Sequence, residues 1–283
     1  MKKKIELRKV PVWQFFNDNI DACGGPVKLT GLDALGKDNR QVVDWFIDKL
    51  AGCRNVLDLG CGVGHPGLYL APRLGQITCM DAAPNMVAQA RSNALGLHLN
   101  NVRFEVGGTA RFPFKDRSFD GLCLCGVLES MDWNEVQRVM LEVERVLASS
   151  GRVAVLEEDW QDILRRRPRE QAHILFRDSR LMYLFVELIL SPPGEKDSHF
   201  LIDTESRFGE ELLAELGDNE RTRTSLKPDD LDPDAVLDAW YDEMAHFDAE
   251  TLKNLFVRLG FRDIRVQSRP TWSQEILYLT AVK

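Results

Sequence analysis

Residues 56–67 read "VLDLGCGVGHPG": an apolar run with a carboxylate inside it, Asp58, and then four glycines, a histidine and a proline. Glycines at such a turn remove Cβ atoms, so backbone N–H groups and a following helix N-terminus can approach a polar or anionic ligand group. A second carboxylate, Asp81, ends the next apolar run, "QITCMD". There it can accept both hydroxyls of a ribose, and loop and acid together suit a nucleoside-containing cofactor. Gly62, Gly64 and Gly67 also satisfy GxGxxG, which with an acid downstream reads as a dinucleotide fingerprint. Asp58 weighs against that reading. A carboxylate two residues ahead of the loop repels a pyrophosphate and suits a cationic amino group, or else serves as a structural acid that ties down loop N–H groups.

Both acids need strands that end at one edge. "NVLDLG", "QITCMD", "NVRFEVG", "FDGLCLCGVL" and "GRVAVLEED" are apolar enough for strands buried on both faces, and helical patterns lie between most of them. The alternation predicts parallel βαβ units, whose ligands bind at the carboxyl ends of the strands. It stops near Trp160 and resumes with "DAETLKNLFVRLG", a helix with Asp248 as N-cap and Gly260 beyond its end. The last two strands, "FRDIRVQS" and "QEILYLTAVK", are joined by a short turn and must pair antiparallel, because a parallel crossover needs about a dozen residues. The expected organisation is an N-terminal segment over 1–39 that closes the cleft, an α/β domain over 40–160 and 247–283, and a helical insertion over 161–246. Within the insertion, "REQAHILFRDSRLMYLFVELIL" is expected to be a helix apolar on more than one face.

A chain of 283 residues with 28% charged side chains is that of a soluble globular protein rather than a disordered one. Its net charge of -8 argues against nonspecific wrapping of nucleic acid, which needs a basic face. The six cysteines, Cys23, Cys53, Cys61, Cys79, Cys123 and Cys125, follow neither a disulfide framework nor paired zinc spacing, so reduced thiols, a cytoplasmic location and no metal are expected. "MKKKIELRKV" has no apolar stretch after its positive charge and makes a poor signal peptide. The longest apolar run, "LMYLFVELIL", contains Glu187 and is about half the length of a membrane span.

With "VLDLGCGVG", "MDAAPNMVAQAR", "FPFKDRSFDGL", "RVLASSGRVAVLEE" and the terminal "LGFRDIRV" and "EILYLTAVK" in order, the sequence resembles the class I S-adenosylmethionine-dependent methyltransferases, particularly the ubiquinone and menaquinone biosynthesis group. The resemblance covers about 40–160 and 247–283, and implies a Rossmann-like parallel sheet with an antiparallel C-terminal strand. It implies that Asp58, Gly60, Cys61 and Gly62 surround the methionine part of S-adenosylmethionine, with Gly64 close by. It further implies that Asp81 binds the ribose, that Ala82 and Met86 pack on the adenine, and that Thr109 and Ala110 meet the adenine edge. Cys125, Gly126 and Leu128 correspond to the floor beneath the sulfonium. Relatives commonly carry an acid where this chain has Gly108, which leaves the adenine amine to Thr109 or to backbone.

Methyl transfer from a sulfonium is an in-line displacement with an activated leaving group, so a dedicated base is optional. Its candidates are Glu157 and Glu158, with Asp159 beside them in "LEEDW", then Glu129 beside Ser130, and His65. Each has a structural alternative as a strand-end acid, a cap or a packed ring. Neither an Asn/Asp-Pro-Pro-aromatic motif nor a Pro-Cys pair follows the fourth strand, which leaves a small-molecule acceptor rather than a nucleic acid base. A homodimer is compatible with the chain, and no membrane span is expected. "RRRPR" over 165–169 is a candidate anion contact or a solvated charge run, and Trp13, Phe15 and Phe16 either close the cleft or pack on the sheet. A thiolate site for arsenic from Cys23, Cys61 and Cys125 is a minor alternative. The rival functions are an NAD(P)-dependent oxidoreductase and a catalytically silent cofactor-binding scaffold.

Overall fold

The computed structural model describes residues 37–108, 111–159, 247–270 and 275–283, isolated positions before residue 37, residue 245, and the backbone of four short strands between 171 and 226. The chain divides into two compact units, one of residues 1–19 with 163–244 and one of residues 20–162 with 245–283.

The described elements of the second unit run from helix α1 (Lys37–Lys49) to strand β1 (Asn55–Leu59), a single turn of helix α2 (Gly67–Leu70), β2 (Gln76–Asp81), α3 (Pro84–Gly96), β3 (Val102–Val106) and β4 (Phe119–Cys125). A 3-10 turn (Leu128–Ser130), α4 (Trp133–Val146) and β5 (Leu147–Glu158) follow. After the first unit's strands β6 (Gln171–Phe176), β7 (Leu184–Ile189), β8 (His199–Leu201) and β9 (Ser225–Leu226), the chain adds α5 (Ala249–Arg258), β10 (Arg262–Pro270) and β11 (Glu275–Val282). The seven-stranded sheet has the order β10-β11-β5-β4-β1-β2-β3. β1, β2, β3, β4 and β5 pair in parallel, whereas β11 runs antiparallel to both β5 and β10, as the short terminal turn requires.

Period-two alternation explains why both faces are covered. Leu57, Leu59, Val153, Val155, Leu277 and Leu279 pack under α4 and α5 with Val136, Val143 and Phe256. Their neighbours Val56, Ala154, Leu156 and Tyr278 pack on the other face with Phe46, Leu50, Leu68 and Leu70 of α1 and α2. Asp58 shares this second face with Cys79 and Cys123, which stand opposite it in register on β2 and β4. The strand order reverses at β1, with β4 on one side and β2 on the other, which is the switch point where such sheets bind ligands.

Within the expected insertion, the helix expected over 171–189 is corrected at its described residues. Over "REQAHILFRDSRLMYLFVELIL" the chain forms β6 and β7, paired antiparallel from Gln171 opposite Ile189 to Phe176 opposite Leu184, in a four-stranded sheet with β8 and β9. Short apolar runs rich in Ile, Leu, Phe and Val satisfy a strand and a buried helix equally, and periodicity does not separate the two. Residues 165–169, Trp13, Phe15, Phe16 and Cys23 lie outside the described residues. Among the described residues no helix is long and apolar enough to cross a membrane.

Candidate active site

The glycine loop is held from below by the strand beside it. Gly60 N and Cys61 N both donate to Met80 O at 2.8 and 3.1 Å, and Gly64 N closes the turn onto Cys61 O at 2.8 Å. Gly60 and Gly64 adopt φ of 70° and 108°, and a Cβ on Gly64 would stand 2.4 Å from Leu68 Cδ1. At Gly62, by contrast, a Cβ would meet nothing within 4 Å. Asp81, at the carboxyl end of β2, accepts Gly62 N at 2.8 Å on Oδ2 and Ala83 N at 2.9 Å on Oδ1. Burial raises its pKa against the pull of these N–H bonds. The Ala82 N–H bonds the carboxylate as well, and of its roughly four acceptor sites one stays for a ribose hydroxyl.

Asp58 lies behind the loop, 1% exposed. Its Oδ2 accepts Gly67 N at 3.1 Å and the Cys79 thiol at 3.8 Å, and its Oδ1 accepts the Cys123 thiol at 3.2 Å. Burial pushes the carboxyl up to about 6, although the bonds from Cys123 and Gly67 oppose this. The structure therefore shows the loop-tying contact directly. It also bears on GxGxxG: the N–H of the third glycine is taken by Asp58, and α2 is a single turn, so this glycine offers a pyrophosphate nothing.

The opposite wall follows β4. Gly126, exposed with φ of 64°, leads into the 3-10 turn, and Cys125 beside it is half-buried with its thiol pKa raised by burial and the acids around it. Glu157 is fully buried at the end of β5, with Oε1 accepting Val127 N and Leu128 N at 3.1 and 3.0 Å and Oε2 accepting Glu129 N at 3.2 Å. Burial lifts its carboxyl to about 7 in spite of these bonds. Glu129 returns the tie, its Oε2 accepting Glu158 N at 2.8 Å, and both Glu129 and Glu158 are half-buried. Ser130 Oγ donates to Val127 O at 2.7 Å. His65 stands edge-on to Tyr69 at 5.7 Å, its Nε2 buried without a partner among the described residues, and burial lowers its pKa to about 4.

The residues expected to hold a cofactor thus separate by exposure. Gly60, Gly62, Asp81, Ala82, Cys125 and Gly126 are reachable at the carboxyl edge, whereas Asp58, Cys61, Gly64, Met86 and Leu128 are buried behind it. Thr109 and Ala110 lie outside the described residues, and Gly108 is open, with nothing within 4 Å of a Cβ there. Asn93 was not anticipated. From the buried face of α3 its Nδ2 donates to Val63 O at 2.9 Å and its Oδ1 accepts Leu29 N at 3.3 Å, which clamps the loop. A polar residue in helical step with Met86, Val87 and Ala90 was the available signal. Among the described residues no group of His, Cys, Asp and Glu is disposed to hold a metal ion.

Residues 56–151 match the family described as a methyltransferase domain. An uncharacterized methyltransferase of Bacillus subtilis is 36% identical over 112 residues, 38% of this chain and 44% of that protein. The demethylmenaquinone methyltransferase of Deinococcus radiodurans is 35% identical over 107 residues, 37% of this chain and 43% of that protein. The chain spans about half the length of the curated relatives it matches. The crystal structure of magnesium protoporphyrin IX methyltransferase from Synechocystis with bound SAH has the same fold, with a TM-score of 0.53, 17% identity, and coverage of 96% of this chain and 97% of that one. Residues 56–151 are thus similar in sequence to methyltransferase domains, and the α/β unit around them shares the fold of a solved methyltransferase.

Proposed function

We propose that the protein transfers a methyl group from S-adenosylmethionine to a small-molecule acceptor. The observation that carries this reading is the pairing of open space over Gly62 with the partly exposed Asp81 carboxylate at the end of β2, which keeps acceptor capacity for a ribose hydroxyl. The surroundings agree in charge: Asp58, Asp81, Glu129 and Glu158 gather at the carboxyl ends of β1, β2 and β5 and in the turn after β4, a field that favours a cationic ligand over a pyrophosphate. Bound there, S-adenosylmethionine supplies a methyl group on a sulfonium, a carrier that needs no further activation.

The chain's own contribution is to bind, align and exclude water. Asp81 holds the ribose, Gly60 and Gly62 let the backbone come close to the methionine part, and Cys125 and Gly126 form the wall facing it. Glu157 has no exposed surface with which to take a proton from an acceptor, which leaves the half-buried Glu129 and Glu158 as the carboxylates that can face one. The same proposal gives acceptor binding to residues 161–246, which follow β5 in the chain. A cytoplasmic setting belongs to the same proposal and is supported by the free thiols of Cys53, Cys61, Cys79, Cys123 and Cys125.

Calorimetric titration with S-adenosylmethionine and S-adenosylhomocysteine tests the site. Both are expected to bind, and failure of both at millimolar concentration removes the proposal. Asp81→Ala is expected to weaken binding by about 1 to 3 kcal/mol, the worth of charged hydrogen bonds to the ribose. Formation of S-adenosylhomocysteine with a cell extract, and not without it, separates an enzyme from a silent scaffold; tight NAD or NADP binding would favour the oxidoreductase.

A further inference from the structure

The geometry points to Glu157 as a positioning residue: its buried carboxylate, gripping the N–H groups of Val127, Leu128 and Glu129, fixes the turn after β4 against the glycine loop and so sets the wall of the cofactor site. The inference rests on the reading of that site as one for S-adenosylmethionine.

Three consecutive N–H groups converge on one side chain at 3.0–3.2 Å. They precede or open a 3-10 turn, where backbone donors have no partner within the turn itself, and burying them unpaired would be costly. A carboxylate is the side chain with enough acceptor capacity for all three. The tie runs in both directions, since Glu129 accepts the N–H of Glu158, and Gly126 N extends the β4–β5 pairing onto Leu156 O at 2.8 Å. The turn in its place then reaches the first glycine. A Cβ on Gly60 would lie 2.5 and 2.7 Å from the two methyl carbons of Val127, so Val127 packs directly on the Cα of Gly60. Glu157 therefore governs the separation of the loop after β1 from the loop after β4 without touching a ligand in either.

A purely structural acid would lower global stability on replacement and leave the folded protein's ligand affinity alone. A positioning residue affects the two loops selectively. In the full-length protein, Glu157→Gln keeps the volume and one carbonyl oxygen but turns an NH₂ toward the N–H of Glu129. Amide exchange at Val127, Leu128 and Glu129 is expected to accelerate at least about tenfold while Leu57 and Val155 in the sheet stay protected, because local opening is independent of global unfolding. The dissociation constant for S-adenosylhomocysteine is expected to rise about tenfold, the effect of about 1.4 kcal/mol. Glu157→Asp, which keeps the charge on a shorter arm, is expected to fall between, and serves should the Gln variant not fold. Folded variants with wild-type exchange at the three amides, or with loosened amides and wild-type affinity, would overturn the inference. Failure of the wild type to bind S-adenosylhomocysteine would instead overturn the reading of the site.

Discussion

Gly67 and Gly62 lie in one loop, yet the demands on them differ. A Cβ on Gly67 would stand 2.2 Å from Asp58 Oδ2, whereas one on Gly62 would meet nothing within 4 Å. Gly67→Ala must therefore push a buried carboxylate off its partners, at an overpacking cost of about 1 to 3 kcal/mol. Gly62→Ala incurs only the strain of its φ of 50°, about 1 kcal/mol, but places a methyl where the ligand would approach. In urea denaturation the Gly67 variant is expected to lose more stability, and in calorimetry the Gly62 variant is expected to lose more affinity for S-adenosylmethionine. Equal losses in both measurements would show that the two glycines do one job.

Local rules account for most of the elements that carry the site. Asp248 caps α5 by accepting Thr251 N at 2.7 Å, and Asp132 forms a reciprocal box with Glu135 at the start of α4. Asp248→Ala and Asp132→Ala should each cost about 1 kcal/mol in thermal or urea unfolding, and additively, since the helices are capped independently. The strands β1 to β5, the cap at Asp248 and the antiparallel terminal pair were legible because each follows from period, turn length or a cap. Legibility failed where only tertiary contacts decide. The apolar run that forms β6 and β7 satisfies two periods, and nothing local in "LEEDW" distinguishes Glu157, facing the turn after β4, from Glu158 on the next pleat. Asp58 illustrates the same limit: its position was legible as important, but its partners, two thiols from β2 and β4 and the Gly67 N–H, are set by strand register.

At the scale of the whole molecule, these buried acids shape how stability depends on pH. Asp58 titrates near 6 when folded against an ordinary 3.8, and Glu157 near 7 against 4.5. Between each pair of values the folded state binds more protons than the unfolded chain, so these two groups make stability fall as pH rises through about 4 to 7. His65 acts in reverse: folded near 4 against an ordinary 6.5, it binds fewer protons when folded and makes stability fall on acidification through the same window. Asp81, also raised by burial, acts in the same direction as the two acids. Asp58→Asn removes one acid without removing His65. Relative to the variant, the wild type is expected to lose about 2 kcal/mol between pH 4.5 and pH 7 and almost nothing further above pH 7. Urea denaturation of both proteins at pH 4.5, 6 and 7.5 reads this difference. A constant offset across the series would mean that Asp58 is ionised throughout, its charge held by partners that outweigh its burial.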